Sequence, residues 1–179
     1  GLGMVMVGMI GTALFAIEDI GLQDTVFEEG ALIYVVYGTV LAALGGMAHW
    51  APKLWGVNLP AAKVLPLAGL GVLATVLASL PSYVAGFDEQ RDIYAIVVLV
   101  GHVLMALTVL GFIGLLVTSM MSQDGPAEAD PYDGQTLEWA TASPAPANNF
   151  VDAPTVMSAE PLADSISNDG QTDSEKGDS

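Results

Sequence analysis

The sequence predicts an all-α integral membrane domain, a four-transmembrane-helix bundle, followed by an extended and disordered acidic tail. Three observations carry this. Four apolar runs, over residues 2–17, 30–50, 64–84 and 93–121, contain no Asp, Glu, Lys or Arg. Of the 179 residues, 53% are hydrophobic and only 13% are charged, about half the charged share of an ordinary soluble domain. The charge is also segregated. Twelve of the twenty acids lie between Asp124 and Asp178 beside the single base Lys176, whereas residues 1–121 hold the other eight with Lys53, Lys63 and Arg91. The expected division is a transmembrane domain at 1–121, an extended segment at 122–153 and a disordered acidic tail at 154–179.

A helix needs roughly 20 apolar residues to cross the hydrocarbon layer. The first run is slightly short of that. It opens on Gly1-Leu2-Gly3 with no initiator Met and no basic region or cleavage site after it, so it reads as the inside of a longer chain and not as a signal peptide. The other three runs are long enough. Gly38, Gly45, Gly46, Gly69, Gly71, Gly101, Gly111 and Gly114 recur within them. Hydrophobicity cannot drive association in lipid, and small residues let helices approach closely. The expectation is a packed bundle.

Orientation follows from the basic residues, which favour the cytoplasmic side. Lys53 and Lys63 flank the loop between the second and third runs, which places that loop inside. The first loop, with Glu18, Asp19, Asp24, Glu28 and Glu29, and the third, with Asp88, Glu89 and Asp92 against Arg91, then lie outside. The tail is expected in the cytoplasm, below a cell membrane crossed several times. From Ser122 onward the chain is rich in Pro, Ala, Ser, Asp and Gly, and such a composition buries too little apolar surface to offset the entropy of ordering. One stretch differs. Thr136-Leu137-Glu138-Trp139, Ser143-Pro144-Ala145-Pro146 and Asn148-Asn149-Phe150 combine aromatics with prolines, the pattern of an extended segment laid along a protein surface.

A formal net charge of −16 excludes nucleic acid as a partner, because phosphates require Lys and Arg. The same balance suits a high-salt environment, where ions screen self-repulsion. With no cysteine, disulfides, thiolate metal sites and Cys nucleophiles are excluded. Of the two histidines, His49 ends the second run beside Trp50 and reads as an interfacial anchor. His102 lies inside the fourth run. An ionisable group at that depth is a functional candidate, and the competing reading, favoured here, is a neutral imidazole hydrogen-bonded to a neighbouring helix. Glu28 and Glu29 at the mouth of the second run could relay protons or bind a cation. Acids favouring the positive end of a helix dipole are the simpler account. No nucleophile, phosphate loop or carboxylate pair stands out.

Three patches nevertheless carry a resemblance. Asp130-Pro131-Tyr132, Thr136-Leu137-Glu138-Trp139, Ser143-Pro144-Ala145-Pro146 and Asn149-Phe150 are similar to N-P-W…T-L-E-W…S-P-P-P…N-F, the closing signature of subunit I of the haem–copper (cytochrome c) oxidases. Gly45-Gly46, Trp50, Pro52-Lys53 and Gly56 resemble that family's G-G-x-x-x-W-x-P-K-x-x-G. Gln23-Asp24-Thr25-Val26-Phe27 and Tyr34-Val35 frame the segment where the family has H-D-T-Y-Y…H-F-H-Y-V. The resemblance covers roughly residues 1–153 and implies the ninth to twelfth helices of a twelve-helix core.

The departures fall on the family's functional positions. The resemblance assigns its two haem-ligating histidines to Ala31 and Ile33, or in the neighbouring register to Gly30 and Leu32. None of these offers a lone pair to iron. The family's two propionate-pairing arginines become Ser82 and Tyr83, after Leu80-Pro81, which removes two charge-assisted partners. At the family's magnesium position Gln23 replaces a His while Asp24 survives, a weak donor set for a hard cation. No haem or copper is therefore expected in this segment, although the family carries both.

Three functional readings follow. The first is a degenerate subunit I module, a haem-free scaffold or assembly component of an aerobic respiratory oxidase, with lipid and other oxidase subunits as partners. The second is the C-terminal part of a catalytic subunit I that transfers electrons to O2 and pumps protons. Its metal ligands would then lie elsewhere, in an N-terminal core preceding Gly1. The third, an unrelated membrane protein such as a transporter fragment, lacks the broken helices and buried charges expected of a substrate site.

Overall fold

A computed structural model describes residues 1–15, 17, 21–22, 25–85, 91–122, 126–134, 136–150, 156, 158 and 161. Among them there are four α-helices and no strand: α1 Leu2–Phe15, α2 Val26–Trp55, α3 Ala61–Ala85 and α4 Arg91–Met121. Three helices, α2, α3 and the Tyr94–Met121 portion of α4, are long and apolar enough to cross a membrane. The fourth expected span is shorter. Helix α1 has 14 residues, about 21 Å at the helical rise against a hydrocarbon layer of about 30 Å.

Helix α2 extends beyond the expected 30–50 at both ends. At its start the Thr25 hydroxyl oxygen accepts a bond from the Phe27 amide at 3.3 Å, and Glu28 and Glu29 occupy the first turn. At its end the helix runs through Pro52, and Lys53 lies in the last turn, where a cation opposes the negative end of the dipole. Gly56 then stops it. Its amide donates to the Pro52 carbonyl at 2.9 Å with φ at +66°, a left-handed geometry that glycine adopts without penalty.

The chain forms two compact units. The first comprises Gly1–His49 and Leu59–Thr118, and its interior is built from small residues. Ala31, Ala74, Thr75, Ala78 and Ser79 are fully buried. A Cβ added at Gly8 would lie 2.7 Å from the Val35 amide nitrogen of α2. One added at Gly101 would fall on the Ala78 backbone and lie 2.8 Å from the Ala74 carbonyl oxygen. The α1–α2 and α3–α4 approaches therefore require these glycines, as the small-residue pattern leads one to expect. Two buried hydroxyls of the unit are paired, one within its own helix and one across helices. Thr75 donates to the Gly71 carbonyl at 2.8 Å, and Ser79 crosses to the Gly30 carbonyl at 2.6 Å.

The second unit comprises Trp50–Asn58 and Ser119–Ser179. Its described tail residues are not extended throughout. Leu137–Ala140 form one 3₁₀ turn between extended Thr136 and Thr141. The disorder expected over 154–179 concerns residues that, apart from Val156, Ser158 and Pro161, lie outside the described ones.

Candidate functional site

In the first unit the positions that resemble haem-ligand positions lie in packed interior. Ala31 is fully buried and Ile33 nearly so, at 9% exposure. A Cβ added at Gly11 of α1 would lie 3.0 Å from the Ala31 methyl, so α1 closes over this face of α2. In the neighbouring register, Gly30 is buried with its carbonyl bonded to Ser79, and Leu32 is exposed. These residues do not fit haem ligation of the family's kind, because no side chain among them carries a donor atom.

Ser82 and Tyr83, which the resemblance sets at propionate-pairing positions, also face inward. Ser82 is buried. The Tyr83 ring meets Phe27 edge-on with centroids 4.6 Å apart and lies 5.7 Å from the Tyr34 ring. Its hydroxyl is buried without a hydrogen-bond partner among the described residues. An aromatic side chain thus fills the space between helices here.

Glu28 and Glu29 are exposed in the first turn of α2. Glu29 borders a cleft of about 160 Å³ with Ser82, Tyr94 and Val98. His102 is half-buried and shares a 2.6 Å hydrogen bond between its Nδ1 and the Tyr37 hydroxyl. The two rings stand edge to face with centroids 5.8 Å apart. Tyr37 lies eight residues beyond Glu29, about 12 Å further along α2 by helical rise. The interhelical bond favoured for His102 is thus present, and no sequence signal connects residues separated by 65 positions. His49 is exposed. Gln23 and Asp24, the expected cation site, lie outside the described residues. Among the described residues no group of three or more His, Cys, Asp or Glu could hold a metal ion.

The second unit brings together two patches that are far apart in sequence. The Lys53 side chain is buried, at 7% exposure, and its Nζ donates to the Thr141 carbonyl and, at 3.5 Å, to the Ala142 carbonyl. The same ammonium lies 5.6 Å from the centre of the Trp139 ring, within cation–π range. Trp139 stacks on Trp50 with centroids 5.6 Å apart and planes 9° from parallel, and Tyr132 meets it edge-on at 5.0 Å. Gly134 leaves room for this ring, since a Cβ there would lie 2.8 Å from Trp139 Cγ. Backbone bonds complete the closure: Ala145 donates to the Lys53 carbonyl at 3.0 Å, and Ala127 to the Gly56 carbonyl at 2.9 Å. An open groove of about 300 Å³ runs past Trp50, Lys53, Thr141, Asn149 and Phe150. Burial also pushes the Tyr132 hydroxyl above its ordinary pKa.

The Trp50–Pro52–Lys53–Gly56 patch and the Thr136–Phe150 patch, read separately in the sequence, thus form one structure. With donor hydrogens of Lys53 directed at main-chain carbonyls, this cluster is built to hold a segment in place.

No protein-family model matches the chain. Curated proteins do. Over 172 residues it is 29% identical to cytochrome c oxidase subunit 1 of Alkalihalophilus pseudofirmus, a match covering 88% of this chain and 28% of that protein. Over 167 residues it is 30% identical to cytochrome c oxidase subunit 1 of a Bacillus species, covering 85% and 27%. Over 135 residues it is 29% identical to cytochrome bo(3) ubiquinol oxidase subunit 1 of Buchnera aphidicola, covering 68% and 20%. The chain spans about a quarter of the length of the curated relatives it matches. With helices of membrane-spanning length and a likeness extending over most of its residues, this membrane protein is related to subunit I of the haem–copper oxidases.

Proposed function

We propose that this chain is a haem-free, subunit I-like membrane module that serves as a structural or assembly component of an aerobic respiratory oxidase. The observation that carries this reading is Ala31, a fully buried residue without a donor atom at the position of a haem-ligating histidine. Ile33, Ser82 and Tyr83 support it, because each replaces a metal- or propionate-binding side chain in packed interior. The preserved Trp50–Lys53–Trp139–Thr141 cluster supports retention of the family's architecture, since it serves packing and not electron transfer.

In this reading α1 to α4 correspond to the last four helices of the subunit I core, with α1 as the first of four spans. Residues 1–121 are the membrane domain, 122–153 a cytoplasmic segment and 154–179 a disordered tail. Lys53 and Lys63 place the tail on the cytoplasmic side of the cell membrane. The module packs against other oxidase subunits and lipid. Asp24 with Gln23 is a residual cation position. Glu28, Glu29 and His102 are the groups available for proton movement.

A second reading is supported by the short share of its relatives that the chain covers. It would be the closing part of a catalytic subunit I whose metal ligands lie elsewhere in the polypeptide. Absorption spectra of the full-length protein purified from membranes test both. The scaffold reading expects no stoichiometric haem bands. Haem bands unchanged by Ala31→Val and Ile33→Leu would favour the second reading. Bands abolished by conservative substitutions within residues 21–40 would overturn the scaffold reading.

A further inference from the structure

We infer that the link between Asp133 and Gly134 is a site of spontaneous isomerisation to isoaspartate, held closed by the side chain of Asp130. In an Asp-Gly pair the glycine nitrogen can attack the aspartate Cγ. A bond forms between Gly134 N and Asp133 Cγ, and the side-chain hydroxyl leaves as water with the amide proton. A second water then opens the cyclic imide at the Asp133 main-chain carbonyl carbon, which breaks the original peptide bond. The chain now runs through Cγ, with an extra backbone carbon, a free α-carboxylate and no net change in composition. Glycine suits the attack because it has no side chain to hinder its nitrogen.

The fold itself calls for this reactive pair. Asp133 has φ at +52°, in the left-handed region that few residues other than Gly, Asn and Asp adopt readily. Gly134 lies against Trp139, where a Cβ would come within 2.8 Å of the indole Cγ, so a side chain there would clash with the ring. The chain contains three Asp-Gly pairs, at 124–125, 133–134 and 169–170. Of these, 133–134 lies among the described residues.

Asp130 opposes the first step. Its Oδ1 accepts from the Gly134 amide at 2.9 Å and from the Tyr132 amide at 3.3 Å, so the loop wraps around one carboxylate oxygen in the manner of an Asx turn. To attack, the Gly134 nitrogen must shed its hydrogen and carry negative charge toward Cγ. A charged acceptor holds that hydrogen more firmly than a neutral one, and its own charge repels the anion. Isomerisation would also lengthen the backbone where Gly134 meets Trp139, the ring that stacks on Trp50. Asp130 therefore protects the seat of the tail segment together with the peptide link.

Ageing the full-length protein in nanodiscs at neutral pH tests this role. Heavy-oxygen water labels each link that passes through the imide, and electron-transfer fragmentation of peptides separates isoaspartate from aspartate. Asp133 in the wild-type protein should isomerise roughly tenfold more slowly than in a free peptide of residues 126–150, the factor that a bond to a charged acceptor supplies. Asp130→Ala should remove most of that difference while the rates at Asp124–Gly125 and Asp169–Gly170 stay unchanged. Should Asp130→Ala fail to accumulate, Asp130→Asn, with its neutral acceptor oxygen, should give a rate between those of the wild-type protein and the peptide. Equal rates in wild-type protein and peptide, or no acceleration in either variant, would overturn the inference. So would an equal rise at all three pairs, which would mark a general loosening of the tail and not the loss of a specific guard.

Discussion

The ammonium of Lys53, in the last turn of α2, donates to the carbonyl oxygen of Thr141, 88 residues further along the chain. Both groups are buried, so neither can exchange the bond for one to water. Lys53→Met keeps most of the aliphatic stem but leaves the Thr141 and Ala142 carbonyls without this donor. An unmade buried hydrogen bond costs about 1–3 kcal/mol, and about 1.4 kcal/mol is a tenfold change in an equilibrium. Protease cleavage within residues 126–150 of the membrane-bound protein should accelerate roughly in that proportion. An unchanged rate would show that the Trp50–Trp139 stack holds the segment alone.

Helix α4 approaches α3 at Gly101, where an added methyl would meet the Ala78 backbone. Backbone yields far less readily than a flexible side chain. Gly101→Ala should destabilise the protein by about 1–3 kcal/mol through overpacking, read as unfolding in mixed micelles. Gly114 has open space where its Cβ would lie. Gly114→Ala should therefore be neutral or stabilising by up to about 1 kcal/mol from helix propensity. Equal effects at the two sites would contradict the close α3–α4 approach.

The Tyr83 hydroxyl is buried with no partner among the described residues. Removing a desolvated, unbonded group while keeping the ring recovers part of its penalty. Tyr83→Phe should stabilise the protein by about 1 kcal/mol in the same unfolding measurement. Loss of stability would reveal a hydrogen-bond partner for that hydroxyl within the folded protein.

Ala31 invites the reverse substitution. Its methyl faces Gly11 of α1, and an imidazole there must displace a helix. Ala31→His, alone or with Ile33→His, should lose about 1–3 kcal/mol to overpacking and gain no haem absorbance. Stoichiometric haem binding by the double variant would show that this part of the bundle opens far enough to admit a porphyrin.

Much of this protein follows from the chemistry of single residues and short runs, and is legible in the sequence. Helices over residues 30–50, 64–84 and 93–121 follow from uninterrupted apolar runs, because a backbone in hydrocarbon must bond within its own segment. The donor-less side chains of Ala31 and Ile33 are likewise properties of single residues. Gly38 and Gly101 could be read as packing positions, but not which helix each would meet. Pairings between distant residues arise only once the helices and the tail have packed. Nothing in the tail indicates that Lys53 would point at Thr141 and Ala142, that Trp139 would lie flat on Trp50, or that Leu137–Ala140 would form a turn. Nothing in either helix indicates that Tyr37 would meet His102. Such contacts depend on helix rotation and register, which are set by the sum of many small packing contacts rather than by any one residue.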